Sequence, residues 1–352
     1  MLENYAELAF NLINNILRLK KNDVISISGE LYNSKKSSAS PLQEIPLIEE
    51  LAVAIRKKSA FPILEISTTN LQERFFKEMP ENIYSLSPDY YQKWIAMIDS
   101  FVEIGWQKFF NEFEPKNNAI EMNESGQNIL KQIFDNNKKM VFMNFPNQQL
   151  AEILDLKYQK LLSAYNDSVN CDYRALYKQG IKLKDRYFSS ANYYIEDLEN
   201  LLELKIVKDE ANLNCANATE NPLIILPAGF IEFPLLRPSL NGILRAERVY
   251  WQKHVFEDVK IMFNEGNMRY VNFKDERKEN FLLQNALMQT TAECQLTIGF
   301  NPEIYSYTNY SQYDRCLNEN ITITFFSPDA PSIFCSTLTG KIIKQSKKNN
   351  LK

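Results

Sequence analysis

Histidine is nearly absent from this sequence: the 352 residues contain only one, His254. A Ser-His-Asp or Cys-His catalytic arrangement would have to use it. It lies in the stretch WQKHVFED, among charged residues and away from any predicted strand end. We therefore expect His254 to be a surface or hydrogen-bonded structural residue, although histidine is in general a useful catalytic group.

Glycine is also scarce, with 9 residues in the chain. No Gly-x-Gly-x-x-Gly motif follows a predicted strand, and the Gly-Lys pair that begins at Gly340 has no phosphate loop before it. Close approach of a backbone to phosphate groups depends on such glycines. The sequence therefore gives no support for a nucleotide cofactor.

Cysteine shows no regular spacing. The five cysteines are odd in number, and none belongs to a Cys-x-x-Cys motif, so neither a disulfide framework nor a structural zinc site is indicated. This usage fits a reducing cytoplasm. Three of them (Cys294, Cys316 and Cys335) could hold a soft metal, but their separation of about twenty residues matches no known ligand spacing. The alternative is that they are small buried apolar residues.

An excess of positive charge and a long apolar run are both missing. The formal net charge is -4, with acidic and basic residues interspersed, which argues against nucleic acid or an anionic membrane as a partner. The longest apolar run, PLIILPAGFIEFPLL, is interrupted by Glu232 and is too short to span a bilayer. The first residues lack the pattern of a signal peptide. We expect a soluble, cytoplasmic protein.

Strands alternate with helices in the first half of the sequence. Residues 2–19 carry apolar side chains at a spacing of three to four, which predicts an amphipathic helix. Strands are predicted at VISIS, FPILEIS, SFVEIGW and KMVFMNF, with helical segments between and after them. This alternation indicates right-handed crossovers and a largely parallel sheet. We predict an α/β domain over residues 1–190.

The pattern changes after about residue 190. Strands are predicted at LLELKIV, PLIILPAGF, LTIGF and ITITFF, and the stretch DVKIMFNEGNMRYVNF reads as a hairpin with a Glu-Gly turn. One helix is predicted at RKENFLLQNALMQ. We therefore predict an α+β domain with more antiparallel pairing over residues 191–352.

Several stretches of the sequence follow one another in a distinctive order. The first are YAELAFNLINNILRLKKNDVISISG and PLIEELAVAIRKKSAFPILEI. They are followed by LPAGFIEFPLLRPSLNGIL, AECQLTIGFNPEI, YDRCLNENITITFF and SIFCSTLTGKII. These motifs and their order resemble the aminopeptidase T family of two-metal leucyl aminopeptidases, also called thermophilic metalloproteases. The resemblance implies a homodimer with a parallel α/β N-terminal region and a C-terminal domain in which Glu, His and Asp bind two divalent ions that activate a water molecule.

The ligands that this resemblance implies are replaced in the sequence. Phe230 stands where the family has its first ligating Glu, and Gln295 stands in place of the second. The Asp-Glu pair of the family reads Asp314-Arg315, and the ligating His that follows reads Thr322. The family's His-x-Asp aligns with residues 333–335. A conventional two-metal centre is therefore not expected, because the negative charge that would offset two divalent ions is lost.

Other carboxylates lie close to the replaced positions. Glu232 comes two residues after Phe230, and Glu293 two residues before Gln295, so in regular strands each side chain points to the same face as the replaced ligand. A carboxylate pocket is conceivable, with Arg315 as its counter-charge. It would contain Glu232, Glu293, Asp314 and Asp329. The alternative is that these are ordinary solvated acids.

A cluster of tyrosines follows the second of these strands. It could line a pocket and hold a cationic amine, or pack a loop over the core. Its members are Tyr305, Tyr307, Tyr310 and Tyr313.

Three functions remain open at this stage. The first is a protein of the aminopeptidase T type without metals, which binds a peptide, an amino acid or a related small molecule, or performs metal-free acid/base chemistry with Glu293 and Asp314. Its pocket would include Phe230, Glu232, Gln295, Arg315, Thr322 and Tyr313. The second is an active metallo-aminopeptidase that holds zinc or a similar ion on displaced carboxylates such as Glu232 and Glu293. The third is a non-catalytic dimeric scaffold.

Overall fold

A computed structural model describes most of the chain. The described residues are 5–31, 44–68, 74, 78, 88–105, 130–188, 192–197, 200–207, 210–217, 221–290, 293–326 and 332–344. Asp329, a member of the predicted carboxylate pocket, lies outside them.

The chain forms two compact units that alternate along the sequence. The first unit contains Met1–Tyr173 and Ala216–Ala228, and the second contains Arg174–Cys215 and Gly229–Lys352. The chain thus leaves the first unit after Tyr173, returns to it for the thirteen residues Ala216–Ala228, and then leaves it again. The sequence pattern predicted a single division after residue 190.

The first unit is built on a five-stranded parallel sheet. Its strand order is β2-β1-β3-β4-β8, with strands numbered in chain order through the whole molecule. The strands are β1 (Val24–Leu31), β2 (Phe61–Thr68), β3 (Ser100–Gly105), β4 (Lys139–Asn144) and β8 (Leu223–Leu226).

Helices cover both faces of this sheet, as burial of a parallel sheet requires. Ile48 of one helix lies 3.4 Å from the point where Gly29 would carry a Cβ atom, so that helix packs on the face that includes Ile25 and Ile27. On the other face, Phe101 and Met140 pack with isoleucines of two further helices. The helices of the unit are Tyr5–Asn11, Ile45–Lys57, Pro88–Met97, 130–135, Gln148–Ile153 and Tyr158–Val169.

Local sequence signals explain where several of these helices begin or change. Asn147 caps its helix by accepting a hydrogen bond of 2.9 Å from the backbone N–H of Leu150. Pro46 lies in the first turn of Ile45–Lys57, where its missing N–H has no helical partner to lose. The N-terminal helix continues as a π-helix over Leu12–Ile16. Among the described helices, none combines the length and apolar character that crossing a membrane would need.

The second unit is built on an eleven-stranded antiparallel sheet. Its main path runs β16-β5-β6-β10-β15-β14-β13-β9-β7, and β11 pairs with both β10 and β12. The strands are β5 (Asn192–Asp197), β6 (Asn200–Lys205), β7 (Asn212–Asn214), β9 (Phe230–Leu236), β10 (Asn241–Trp251), β11 (His254–Asn264), β12 (Asn267–Asn272), β13 (Glu293–Gly299), β14 (Ile321–Phe325), β15 (Ile333–Thr337) and β16 (Lys341–Lys344).

One face of this sheet is apolar and is covered by the helix Tyr173–Phe188. Near Gly180 the helix passes so close to the side chains of Leu213 and Phe300 that an added Cβ atom would lie 2.7 Å and 3.0 Å from them. At its C-terminal end, the ring of Tyr187 lies 6.0 Å from that of Phe233. The other helices of the unit are Lys278–Met288, Ser311–Asp314 and the 3-10 turn Arg237–Ser239.

Several predicted elements are confirmed. The strands of the parallel sheet up to β4 lie where the sequence places them, and β11 and β12 form the predicted hairpin. Glu265 and Gly266 make its two-residue turn with positive φ angles of 51° and 74°, as a type I′ turn requires. The stretch PLIILPAGF differs from expectation, because it contains β8 of the parallel sheet and the first residue of β9 instead of one strand.

Candidate functional site

Polar side chains form a row across the face of the antiparallel sheet that the long helix does not cover. Residues directly opposite one another in antiparallel strands point to the same face. The register therefore places seven side chains from β7, β9, β13, β14, β15, β10 and β11 in one line: Asn212, Glu232, Thr297, Thr322, Ser336, Arg248 and Glu257. Phe230 and Gln295 are two residues from members of this row and lie on the same face.

The segment between β13 and β14 lies on this face. Gly299 permits the close approach, because a Cβ atom there would lie 2.2 Å from the backbone oxygen of Leu317 and 2.7 Å from that of Arg315. Backbone hydrogen bonds fasten the segment: Gly299 donates to Asn320 at 2.8 Å, and Asn301 donates to Cys316 at 2.9 Å. The arrangement places the short helix Ser311–Asp314 and the following Arg315 over the polar row.

Asp314, which belongs to this segment, is fully buried and accepts four hydrogen bonds. Its Oδ1 atom accepts from the backbone N–H of Thr308 at 2.7 Å and from the Thr308 hydroxyl at 2.6 Å. Its Oδ2 atom accepts from the Tyr250 hydroxyl at 2.7 Å and from the backbone N–H of Asn309 at 2.9 Å. Burial raises the pKa of Asp314 to about 6, and the hydrogen bonds oppose this rise.

Arg315 reaches from the segment to β9. Its guanidinium carbon lies 4.2 Å from the centre of the Phe230 ring, within cation-π distance. Its Nη1 atom lies 3.7 Å from Oε1 of Glu232, and the two side chains retain 11% and 12% of their surface exposed. The pair is thus largely buried but reachable from solvent.

Glu232 has further polar neighbours. Asn212 donates a hydrogen bond of 3.1 Å to its Oε2 atom. Burial raises the pKa of Glu232, while the charge of Arg315 and hydrogen bonds from Asn212 and Gln295 oppose that rise. The structure therefore brings four of the sequence-predicted positions together: Phe230, Glu232, Gln295 and Arg315.

Other predicted site residues lie elsewhere or have different surroundings. Glu293 is exposed at the start of β13, and Asp314 points to Tyr250 and Thr308. Thr322 is buried in a hydroxyl contact of 2.8 Å with Ser336.

The tyrosine cluster divides into buried and exposed members. Tyr310 and Tyr313 are buried with their ring centres 4.8 Å apart, whereas Tyr305 is 82% exposed. The Tyr307 ring lies under the guanidinium of Arg248 at 5.2 Å. These side chains therefore do not form a single aromatic pocket.

The cysteines near the site are buried in separate local contacts. Cys294 lies 3.9 Å from the backbone oxygen of Leu235, and Cys316 lies 3.8 Å from that of Gln312. Cys335 lies on β15, between Ile323 and Val249 of the neighbouring strands. His254 is half-buried at the start of β11, with its ring 6.2 Å from that of Phe256.

Sequence reasoning missed Tyr250, Thr308 and Asn212 as neighbours of the predicted residues. Tyr250 lies on β10, a strand that was not predicted although NGILRAERVYW alternates apolar and charged residues in its middle part. Thr308 and Asn212 carry no comparable signal, because their roles depend on contacts made after folding.

The side chains at the replaced ligand positions, together with Glu232 and Arg315, do not fit a pair of divalent ions. Glu232 is already beside a guanidinium, and Phe230, Gln295 and Thr322 supply no negative charge. An ion placed here would be repelled by Arg315 at short range. Within the described ranges, no three or more His, Cys, Asp or Glu side chains are grouped as a metal site requires.

Comparison with solved structures links the fold to a known protein. Wild-type AmpT from Thermus thermophilus superimposes with a TM-score of 0.60 at 13% sequence identity, over 93% of this chain and 87% of that one. The fold is aminopeptidase T-like. No family model matches the sequence, and no curated protein matches it either. At this identity the similarity concerns the fold, and it leaves the chemistry of the site to be argued from its residues.

Proposed function

We propose that this chain is an aminopeptidase T-like protein that has lost the two-metal site and binds a peptide, an amino acid or a related small molecule. The observation that carries the proposal is the position of Arg315, which lies against Phe230 and 3.7 Å from Glu232. A guanidinium is always charged, so a positive group is present at this point at any physiological pH. It would bind polar or anionic parts of a ligand without a metal.

Binding without catalysis agrees best with the surroundings of Asp314. Each of its two oxygens already accepts two hydrogen bonds, and two of these four bonds come from backbone N–H groups. A general acid or base needs to reach a proton on the substrate, and a saturated, fully buried carboxylate has no free lone pair in the right place for this. Glu293 is exposed, but the described contacts do not place it beside Arg315.

The first test is the metal content of the protein. The protein is purified without chelator and measured again after incubation with zinc, cobalt or manganese followed by desalting. We expect well under one bound ion per chain in both preparations. A stoichiometry of about two ions per chain, as in two-metal hydrolases, would contradict the proposal.

An assay of aminopeptidase activity is the second part of this test. Hydrolysis of Leu-p-nitroanilide that disappears with a chelator and also in Glu293→Gln would establish an active metallo-aminopeptidase instead. The homodimer remains a prediction from the resemblance, and sedimentation of the purified chain would test it separately.

A further inference from the structure

The unpaired part of Arg315 indicates which end of a ligand this site binds. Two of its nitrogens, Nε and Nη2, are buried and have no hydrogen-bond partner in the part of the chain that the structure describes. These two nitrogens lie on the same side of the guanidinium and point their N–H bonds in parallel. This edge has the geometry that a carboxylate matches with two parallel hydrogen bonds.

The neighbouring Glu232 does not use that edge. Its closest contact is with the third nitrogen, Nη1, at 3.7 Å. A charge-assisted hydrogen bond between guanidinium and carboxylate is about 2.8 Å long, so this contact is an ion pair without a hydrogen bond. Nε and Nη2 of Arg315 therefore have no acceptor among the described residues, while Glu232 offsets part of the charge of the guanidinium.

An aromatic ring holds the edge in place. The Phe230 ring, itself fully buried, supports the flat side of the guanidinium at 4.2 Å. Elsewhere in the same segment, the buried hydroxyl of Tyr310 also has no hydrogen-bond partner within the described residues. The charge of Arg315 opposes the rise in the pKa of Tyr310 that burial causes.

Buried donors without partners are costly, and folded proteins usually satisfy them with protein, water or ligand. Two adjacent donors on a cation are satisfied well by an oxyanion with two oxygens on one atom, as in a carboxylate. Because Glu232 keeps a negative charge nearby, a bare anion gains less than a molecule that also carries a positive group. These requirements together describe the carboxylate end of an amino acid or a short peptide.

We infer that Arg315 binds the free carboxylate of the amino-acid or peptide ligand through Nε and Nη2. The inference rests on the proposed function and specifies the ligand class of the same site. Binding of this kind requires the two parallel N–H groups of the guanidinium, on Nε and Nη2, and not merely a positive charge. Replacing the ligand's carboxylate by an amide removes the anion while keeping its size.

Calorimetry with four probes tests this inference: leucine, leucinamide, Leu-Gly and Leu-Gly amide. We expect each acid, or one of the two, to bind at least about tenfold more tightly than its amide, as the loss of charged hydrogen bonds implies. Tight binding of leucine would identify a free amino acid as the ligand, and tight binding of Leu-Gly alone would identify a peptide.

Variants assign the preference to the guanidinium. In Arg315→Met we expect acid and amide to bind equally weakly, because both the charge and the paired N–H groups are gone. In Arg315→Lys we expect the preference for the acid to be smaller than in the wild type, because the ammonium keeps the charge but lacks the two parallel N–H groups. Arg277→Met is the matched control: this arginine is 46% exposed, pairs with Asp275 at 3.5 Å, and its replacement removes the same charge. The control should keep the wild-type preference for the acid.

The outcomes separate the inference from the proposed function. Equal binding of acid and amide to the wild-type protein would overturn the inference and leave the proposed function standing, and this comparison needs no variant. A preference that survives in Arg315→Met, or that is undiminished in Arg315→Lys, would also overturn it. Absence of binding by all four probes would contradict both.

Discussion

Asp314 is the residue whose environment departs most from its expected role. The sequence offered it as a catalytic acid or base, but the structure surrounds it with two hydroxyl groups and two backbone N–H groups. Its hydrogen bonds connect the segment between β13 and β14 to Tyr250 of β10, which is 64 residues away from Asp314 in the sequence. Its contribution is therefore to hold the segment that carries Arg315 on the sheet.

The pH dependence of stability should reveal this buried carboxyl group. Its pKa is raised to about 6 in the folded protein, above its ordinary value of 3.8. Between these values the folded state binds more protons than the unfolded state, so this group stabilises the protein as the pH falls from 7 to 4. The gain over this range is roughly 2 kcal/mol, since the full effect of 1.36 kcal/mol per pKa unit is reached only below pH 3.8.

Urea unfolding at several pH values measures this gain. We expect the free energy of unfolding of the wild-type protein, relative to that of Asp314→Asn, to rise on acidification from pH 7 to 4. Asp275→Asn, at a 61% exposed position, is the control and should follow the wild type. Parallel curves for wild type and Asp314→Asn would show that the carboxyl group does not titrate in this range.

At the scale of elements, the site depends on how the segment 300–320 fits onto β13. Gly299 makes this possible because the backbone oxygens of Leu317 and Arg315 occupy the space of a side chain. Hydrogen bonds from Gly299 and Asn301 then fix the height of the segment above the sheet. The position of the Arg315 guanidinium follows from that height.

Gly299→Ala should therefore displace the segment. The added methyl group would lie 2.2 Å from a backbone oxygen, which cannot move aside as the end of a flexible side chain can. We expect a loss of about 1–3 kcal/mol in the free energy of unfolding, as for overpacked sites, and weaker binding of the preferred acid probe. Urea unfolding and calorimetry measure the two effects.

Gly105→Ala provides the comparison for this variant. A Cβ atom at Gly105 would meet no atom within 4 Å. The free energy of unfolding of Gly105→Ala should stay within about 0.5 kcal/mol of the wild-type value. Equal stability of both variants would mean that the segment adapts to a side chain at residue 299.

At the scale of the whole molecule, the proposed site belongs to one compact unit. Every residue that carries it lies in Arg174–Cys215 or Gly229–Lys352, while the parallel sheet forms the other unit. The aminopeptidase T-like fold is thus retained over 93% of the chain, although only 13% of the residues are identical to those of AmpT. Similarity of fold at this level carries no information about the retention of metal ligands.

Thermal unfolding with and without metal tests the proposed loss of the metal site for the intact protein. An ion present at about 100 times its dissociation constant would stabilise the folded state by about 2.7 kcal/mol. We expect no shift of Tm on adding zinc, and none on adding EDTA to the protein as purified. A rise of several degrees with zinc that EDTA reverses would contradict the absence of a specific ion site.

Much of the architecture could be predicted because it depends on local patterns. Alternating or continuous apolar residues predicted the strands up to β4, and the Glu265-Gly266 pair predicted the turn between β11 and β12. The two-residue spacing of Phe230 and Glu232 also predicted that both side chains share a face, since side chains alternate along a strand. The location of β8 could not be predicted this way, because its apolar sequence suits either sheet.

The sequence by itself determined the residue types at the site and the faces on which β9 and β13 present them. Together with the family resemblance, it predicted that Phe230, Gln295 and Thr322 stand where the family has metal ligands. Only the tertiary structure decided the contacts: Arg315 reached Glu232 and Phe230, Asp314 was directed to Tyr250, and Glu293 was left exposed. The physical reason is that side-chain alternation is a property of the local backbone, whereas pairing between distant charges depends on sheet register and on the packing of Gly299.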